Sequence, residues 1–314
     1  MYNIGIDLGG TNIAVGLVDE AHNLVYQTSE PTNLPKSPER LADDIHALVV
    51  RMLADRGLTE VDVHCAGIGI PGTVNQAEGT VEYANNFGFD NVPFVRLLQE
   101  RFSCRLLAAN DAGAAAWGEY LAGCGKGVKS MVAMTLGTGV GGGIVLNGHL
   151  WGGCNSAAGE MGHMVIHTGG RPCTCGRKGC LEAYASATAL VQRAAEAAAD
   201  APESLLAKGP IDGRAVFAAA RAGDETAARV LDEFITDLAE GVTNIINILQ
   251  PELLCIGGGL SGAGAQLLDP LRKKVTPMIY SRYSRRNTRL ELASLGNAAG
   301  IIGAAGLDLQ EDLA

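Results

Sequence analysis

The sequence predicts an α/β protein in which one structural plan is used twice. Three observations support this. Apolar strand-like runs alternate with runs of helical period along the chain. A β-meander followed by alternating elements occurs in each half, and each half opens with a glycine-rich turn between two apolar runs. With 314 residues, there is room for about two domains of ordinary size, each with its own core.

The first meander is read at residues 3–8, 12–18 and 24–28, joined by Gly9-Gly10-Thr11 and by residues 19–23. Connections this short require antiparallel pairing. Ser37 supplies an N-cap and Pro38 the first helical position, and Leu41, Ile45, Leu48, Val49 and Met52 then recur at helical spacing up to Gly57. A strand at 63–70, a helix near 94–101, a strand at 105–108 and a helix starting near Ala112 complete the first cycle. The second cycle is read as strands at 130–136 and 142–146 around the turn 137–141, with a third strand around 164–168. Helices are expected at 181–199, 213–222, 225–249 and 263–278, with strands at 252–256 and 289–293 and a last helix from Asn297. Residues 201–212, with Pro202, Gly209 and Pro210, form the one linker-like stretch.

Composition narrows the function. The 24 Lys plus Arg against 34 Asp plus Glu give a net charge of −10, which argues against nucleic acid or anionic lipid as the main partner. The first residues lack the basic and apolar regions of a signal peptide. The apolar run 131–146 is interrupted by five glycines and is shorter than the ~18 to 20 residues of a membrane helix. Eight cysteines are too few for a disulfide scaffold, and three of them crowd between 173 and 180, so reduced thiols in a cytoplasmic protein are expected.

The glycine turns carry the first chemical signal. Asp7-Leu8-Gly9-Gly10-Thr11-Asn12 and Leu136-Gly137-Thr138-Gly139-Val140-Gly141 share the same chemistry: glycines let backbone N–H groups approach an oxyanion, and a threonine adds a hydroxyl. Either turn alone could equally be an ordinary hairpin connection. Gly137 to Gly142 also matches the G-x-G-x-x-G dinucleotide pattern, but a strand follows where that fingerprint needs a helix. Lys126 is followed by Gly, so there is no Walker A loop. Gly257-Gly258-Gly259 lies between a strand and a helix, where backbone could approach a base or ribose, or simply pack helix on strand. Asn110-Asp111 stands at a strand-to-helix junction, where Asp111 is either an N-cap or a carboxylate positioned to accept a hydroxyl proton. His163, Cys173, Cys175 and Cys180 offer four soft ligands that suit tetrahedral zinc, free or redox-active thiols being the other reading.

The run LGTGVGGGIVLNGHLWGGCNSAAGEMGH, residues 136–163, together with Cys-x-Cys-Gly-x-x-Gly-Cys-x-Glu at 173–182, resembles the signature of the ROK family of sugar kinases and sugar-responsive repressors. The similarity extends over essentially the whole chain. It implies a two-lobed actin-like ATPase fold, related to ribonuclease H, in which the lobes close over ATP. The small lobe would be residues 1–115 with a C-terminal helix at about 297–314. The large lobe would be 116–296, with a zinc-binding segment at 163–180.

The same resemblance makes Asp7, Gly9, Gly10, Thr11 and Asn12 with Gly137, Thr138 and Gly139 the two phosphate motifs, and Gly257, Gly258 and Gly259 the adenosine motif. It makes Asp111 the base for the 6-hydroxyl of a hexose. It places Gly72, Thr73, Asn85, Asn86, Asn110, Glu160, His163 and Glu182 around the sugar. Asp7 would help to hold Mg²⁺ through water, and His163 with Cys173, Cys175 and Cys180 would hold a structural Zn²⁺.

The leading expectation is an ATP-dependent hexose 6-kinase acting on glucose, with a homodimer or homotetramer as the assembly and a hexose and ATP as the small-molecule partners. N-acetylglucosamine or N-acetylmannosamine kinase is the alternative within the class. A sugar-responsive repressor is expected to carry a winged helix ahead of the first phosphate strand, whereas that strand begins here at Asn3, and the charge is −10. A sugar-binding module without activity would lack the base or a phosphate turn, and all are present.

Overall fold

The computed structural model describes residues 1–313. Two units emerge from its internal contacts: one comprises residues 1–131, 143–159 and 294–314, the other 132–142 and 160–293. Residue 314, the end of the expected C-terminal helix, lies outside the described residues. The helix over 111–122 lies whole within the first unit, where the expected boundary at residue 115 would divide it.

The first unit opens with β1 (Tyr2–Leu8), β2 (Asn12–Val18) and β3 (Leu24–Pro31), followed by α1 (Pro38–Ala54). Ser37 caps α1 by accepting from the Arg40 N–H at 3.3 Å, and Leu41, Ile45, Leu48, Val49 and Met52 all face the core. Next come β4 (Val63–Ile70), β5 (Thr73–Asn75), β6 (Thr80–Ala84), β7 (Phe89–Val92), α2 (Phe94–Gln99), β8 (Arg105–Asn110) and α3 (Asp111–Ala122). The main sheet has the order β3-β2-β1-β4-β8, antiparallel across β3-β2-β1 and parallel from β1 through β4 to β8. Strand β4 is covered on both faces, which explains its nearly continuous apolar sequence.

The second cycle begins with β9 (Met131–Leu136), β10 (Val140–Leu146) and β11 (His149–Leu150). It continues through α4 (Glu182–Ala185), α5 (Ala187–Ala199), α6 (Gly213–Arg221), α7 (Glu225–Leu249), β12 (Leu253–Gly257), α8 (Ala265–Met278), β13 (Arg289–Leu292) and α9 (Ala298–Ala305). Its sheet runs β11-β10-β9-β12-β13. Each sheet thus lists its third, second and first strands in that order and then two later strands, which is the duplication expected from the sequence.

Three expectations need correction. The third strand of the second meander is β11 and not residues 164–168, which contribute only the isolated bridge Val165↔Cys180. The reason is the Asn147-Gly148 turn, with φ of 53° and 84°, which folds the chain straight back onto β10. The helix expected over 181–199 is two helices, because Ser186 takes an extended conformation and its Oγ caps α5 by accepting from the Ala189 N–H at 3.0 Å. The three-stranded sheet β5-β6-β7 was not anticipated.

Much of the glycine is spent on close packing. A Cβ on Gly67 of β4 would lie 1.8 Å from the Ala304 carbonyl oxygen of α9, and one on Gly303 would lie 1.7 Å from the Ala114 carbonyl oxygen of α3. Helix α9 therefore sits in backbone contact with the sheet and with α3, and holds the amino end of α3 firmly.

Candidate active site

The predicted residues fall into two groups, one in each unit. In the first unit, Asp7 is the penultimate residue of β1, and Asn110 and Asp111 stand where β8 passes into α3. Both strands end at the same edge as their shared neighbour β4, the usual location of ligand sites in sheets with parallel strands. Burial and the neighbouring Asp111 carboxylate push the Asp7 pKa up to about 6. Burial also raises Asp111 above the ordinary carboxylate range. The cap at this junction is Asn110 and not Asp111. The Asn110 Oδ1 accepts from the Gly113 N–H at 3.1 Å and its Nδ2 donates to the Gly72 carbonyl at 3.0 Å. Asp111 accepts from the Ala112 N–H at 2.8 Å.

Gly72, at φ 116°, lies against the backbone of Tyr83, and Thr73 opens β5 opposite Tyr83. Asn85 and Asn86 form a single helical turn ended by Gly88, and a Cβ on Gly10 would lie 3.7 Å from that of Asn86. The small unanticipated sheet thus leads into the turn that sets Asn86 beside the first glycine turn. In that turn Gly9 N–H donates to the carbonyl of Asn12 at 2.9 Å, so the N–H groups of Gly10 and Thr11 have no protein acceptor among the described residues.

In the second unit the turn between β9 and β10 repeats this arrangement. Gly137 N–H donates to the Gly139 carbonyl at 3.0 Å and Val140 N–H to Glu182 Oε2 at 3.0 Å, which leaves Thr138 and Gly139 N–H as the open donors among the described residues. Gly258, at φ 79°, ends against Leu136, since a Cβ there would lie 2.5 Å from the Leu136 carbonyl oxygen. The cluster Gly257, Gly258 and Gly259 therefore borders the second turn. A cavity of about 420 Å³ opens beside it, lined by Thr138, Cys173, Thr174, Glu182, Ser186 and Thr188 among others.

The ligand atoms of His163, Cys173, Cys175 and Cys180 all lie within 4.8 Å of one another. Cys173 Sγ is 3.6 Å from His163 Nδ1, and Cys175 Sγ is 3.7 Å from Cys180 Sγ. A tetrahedral zinc with Zn–S bonds of about 2.3 Å has S···S edges of about 3.8 Å, so the cluster fits that ion. His163 turns its other nitrogen toward Glu160, with Nε2 3.9 Å from Oε2. Glu182 follows directly on the cluster and contacts Thr174 Oγ1 at 3.4 Å through Oε1, while Oε2 holds the second turn. Cys65, Cys104, Cys124, Cys154 and Cys255 lie outside this group.

Three residues with clear tasks were not read from the sequence. Thr32 and Thr188 donate their hydroxyls to carbonyls of the two glycine turns. Glu119 of α3, 2% exposed, accepts from the N–H groups of Cys124, Ser294 and Leu295 and from the Ser294 hydroxyl. The capping residue Ser186 had a local signal, a serine ahead of an alanine-rich helix; these three had none, because their partners are distant in sequence.

Comparison with known proteins agrees with this arrangement. Residues 3–311 match the ROK family. A glucokinase from Halalkalibacterium halodurans is 37% identical over 99% of this chain and 96% of its own. The crystal structure of a ROK family glucokinase from Streptomyces griseus, in complex with glucose and AMPPNP, superposes with a TM-score of 0.83 at 35% identity, covering 98% of this chain and 99% of that one. A ROK family transcriptional regulator, a homologue of the Escherichia coli MLC protein, gives the same TM-score at 25% identity, with 98% of this chain covering 78% of that one. Its duplicated α/β architecture is that of an actin-like ATPase, and the chain belongs to the ROK family.

Proposed function

We propose that this protein is an ATP-dependent glucokinase that transfers the γ-phosphoryl group of ATP to the 6-hydroxyl of glucose. The observation that carries the reading is the pair Asp7 and Asp111, two carboxylates raised by burial at the carboxyl ends of β1 and β8, beside a turn with open N–H donors. The full-length similarity to glucokinases supports the choice of sugar and donor.

In this reading Asp111 accepts the proton of the 6-hydroxyl as that oxygen forms its bond to the γ-phosphorus and the bond from phosphorus to the β,γ-bridging oxygen breaks, releasing ADP. A carboxylate above its ordinary pKa is a better proton acceptor than a solvated one, provided it is ionised at working pH. The open N–H donors of Gly10 and Thr11 in the first unit and those of Thr138 and Gly139 in the second are each suited to phosphate oxygens, and Gly257, Gly258 and Gly259 of the second unit to the adenosine. Gly72, Thr73, Asn85, Asn86 and Asn110 are the sugar-contacting candidates of the first unit, and Glu160, His163 and Glu182 are those of the second. Since Asn110 spends one Oδ1 lone pair on Gly113 and one Nδ2 hydrogen on Gly72, its remaining capacity is the second N–H of Nδ2 and the second lone pair of Oδ1.

Two repelling carboxylates at Asp7 and Asp111 suit a hard divalent cation, and Asp7 would hold Mg²⁺ through its water shell; when bound, that ion offsets the phosphate charge. Zinc on His163, Cys173, Cys175 and Cys180 would fix the His163 ring and the segment leading to Glu182. A coupled assay with ATP over glucose, mannose, fructose, N-acetylglucosamine and N-acetylmannosamine tests the proposal. Glucose is expected to give the highest kcat/KM, and a preference for an acetylated amino sugar would replace it with the amino-sugar reading. The charge of −10 keeps DNA out of this reading, and equilibrium sedimentation is expected to show a dimer or tetramer.

A further inference from the structure

The two glycine turns are held from outside by the same device. In the first unit Thr32, fully buried just beyond β3, donates its N–H to the Thr11 carbonyl at 2.8 Å and its hydroxyl to the Gly9 carbonyl at 2.7 Å. In the second unit the start of α5 does the same work with two neighbouring residues. Ala187 donates its N–H to the Gly137 carbonyl at 2.8 Å, and Thr188 its hydroxyl to the Thr138 carbonyl at 2.8 Å. In both turns a backbone N–H and a threonine hydroxyl satisfy carbonyls on one side, and two consecutive N–H groups remain open. A peptide plane pinned at its carbonyl cannot flip, so its N–H keeps one direction.

We propose that Thr32 and Thr188 are positioning residues for phosphate binding: each anchors one carbonyl of a glycine turn through its hydroxyl and so fixes the N–H that shares that peptide plane, Gly10 for Thr32 and Gly139 for Thr188, toward the nucleotide's phosphates. The proposal rests on the kinase reading above and deepens it. Sequence alone gave no sign of either residue, since Thr32 lies 23 residues and Thr188 50 residues from its partner. The break between α4 and α5 at Ser186 also gains a purpose, because it frees Ala187 N–H for Gly137 and carries Thr188 to Thr138.

Thr188 is the decisive position, being exposed and away from the core, so that Thr188→Val removes the hydroxyl at nearly constant volume. Loss of one neutral hydrogen bond is worth roughly a three- to tenfold effect. The expected result is a fall of that size in kcat/KM for ATP and in affinity for AMPPNP, with affinity for AMP and for glucose unchanged and the melting temperature retained. Thr188→Ser restores the wild-type values. An active wild type with Thr188→Val unchanged toward ATP and AMPPNP overturns the proposal while leaving the kinase reading intact. Equal losses for AMP and AMPPNP also overturn it, as they indicate an adenosine contact. Thr32→Val is expected to lower kcat/KM for ATP in parallel, with Thr32→Ser as its rescue, and failure of that rescue refutes the role at the first turn. An inactive wild type defeats the kinase reading itself.

Discussion

Replacing Asp111 by Asn removes the proposed base and changes little else. Asp111 is the first residue of α3, and its Oδ1 accepts from the adjoining Ala112 N–H at 2.8 Å. An asparagine Oδ1 can accept the same bond from the same place. The neighbouring cap, Asn110 on Gly113, is untouched, and α9 continues to hold the start of α3 through the contact of Gly303 with Ala114. Stability is therefore expected to stay within about 1 kcal/mol of the parent, or to rise, since a buried charge is removed. Turnover is another matter. General-base assistance is worth about 10²- to 10⁴-fold, or roughly 3–5 kcal/mol in the barrier at ~1.4 kcal/mol per decade. The measurement is glucose 6-phosphate release coupled to its dehydrogenase, with glucose affinity followed separately by calorimetry. A kcat lowered at least about 100-fold with glucose affinity kept within about tenfold is the expected pattern. A purified variant with turnover within tenfold of wild type would falsify the assignment of Asp111 as base.

Asp7 links pH to stability. Its pKa is raised from 3.8 to about 6, so between those values the folded chain binds more protons than the unfolded chain, and stability falls as pH rises through this window. Asp7→Asn should therefore be more stable than wild type at pH 8, by no more than about 3 kcal/mol, and equal to it below pH 4; denaturant melts at the two pH values check this. Because Asp111 is raised as well, the acid limb of kcat/KM should lie above the ordinary carboxylate range, and a limb near 4 would contradict it. Cys175→Ser should reduce zinc content well below one ion per chain and lower the melting temperature together, and an unchanged metal analysis would exclude the cluster as a zinc site. Glu119→Ala leaves three part-buried backbone N–H groups and a hydroxyl without their acceptor, which should cost about 1–3 kcal/mol; a loss well under 1 kcal/mol in urea unfolding would show that water replaces it.

What the sequence shows and what it hides follow from the range of the interactions involved. Strands at 12–18 and 63–70 and the helix at 225–249 coincide with β2, β4 and α7, because each is a long run of one period bounded by turn or cap residues. The strands β5, β6 and β7 have three to five residues each and carry too few alternations to stand out from loops. Residues 164–168 are apolar enough to suggest a strand, yet they pair with 179–181 through one isolated bridge and a few turn-like hydrogen bonds, a pattern with no periodicity. The chemistry-bearing residues were legible where they sit in contiguous motifs, as at 7–12, 110–111, 136–141 and 173–182. Residues whose work depends on a distant partner were silent: Glu119 meets Leu295 across 176 positions.

The carboxylates of the first unit sort themselves by what already fills their lone pairs. A carboxylate can accept about four hydrogen bonds. Glu119 accepts four, all from protein groups, which suits it to hold the chain at 124 and at 294–295 and leaves nothing for a substrate. Asp111, in contrast, is raised by burial and bonded only within its own helical turn, so most of its accepting capacity is unspent. An unspent buried carboxylate costs stability, and a chain under no functional demand would replace it with an apolar residue or give it donors. The cost is tolerated at the amino end of α3, where the helix is locked by backbone contact with α9 through Gly118 and Gly303 and cannot relax to hydrate the group. The same glycines that make this packing possible thus hold the start of α3, and with it the half-buried Asp111, in place, which ties the composition of the chain to the proposed chemistry of its site.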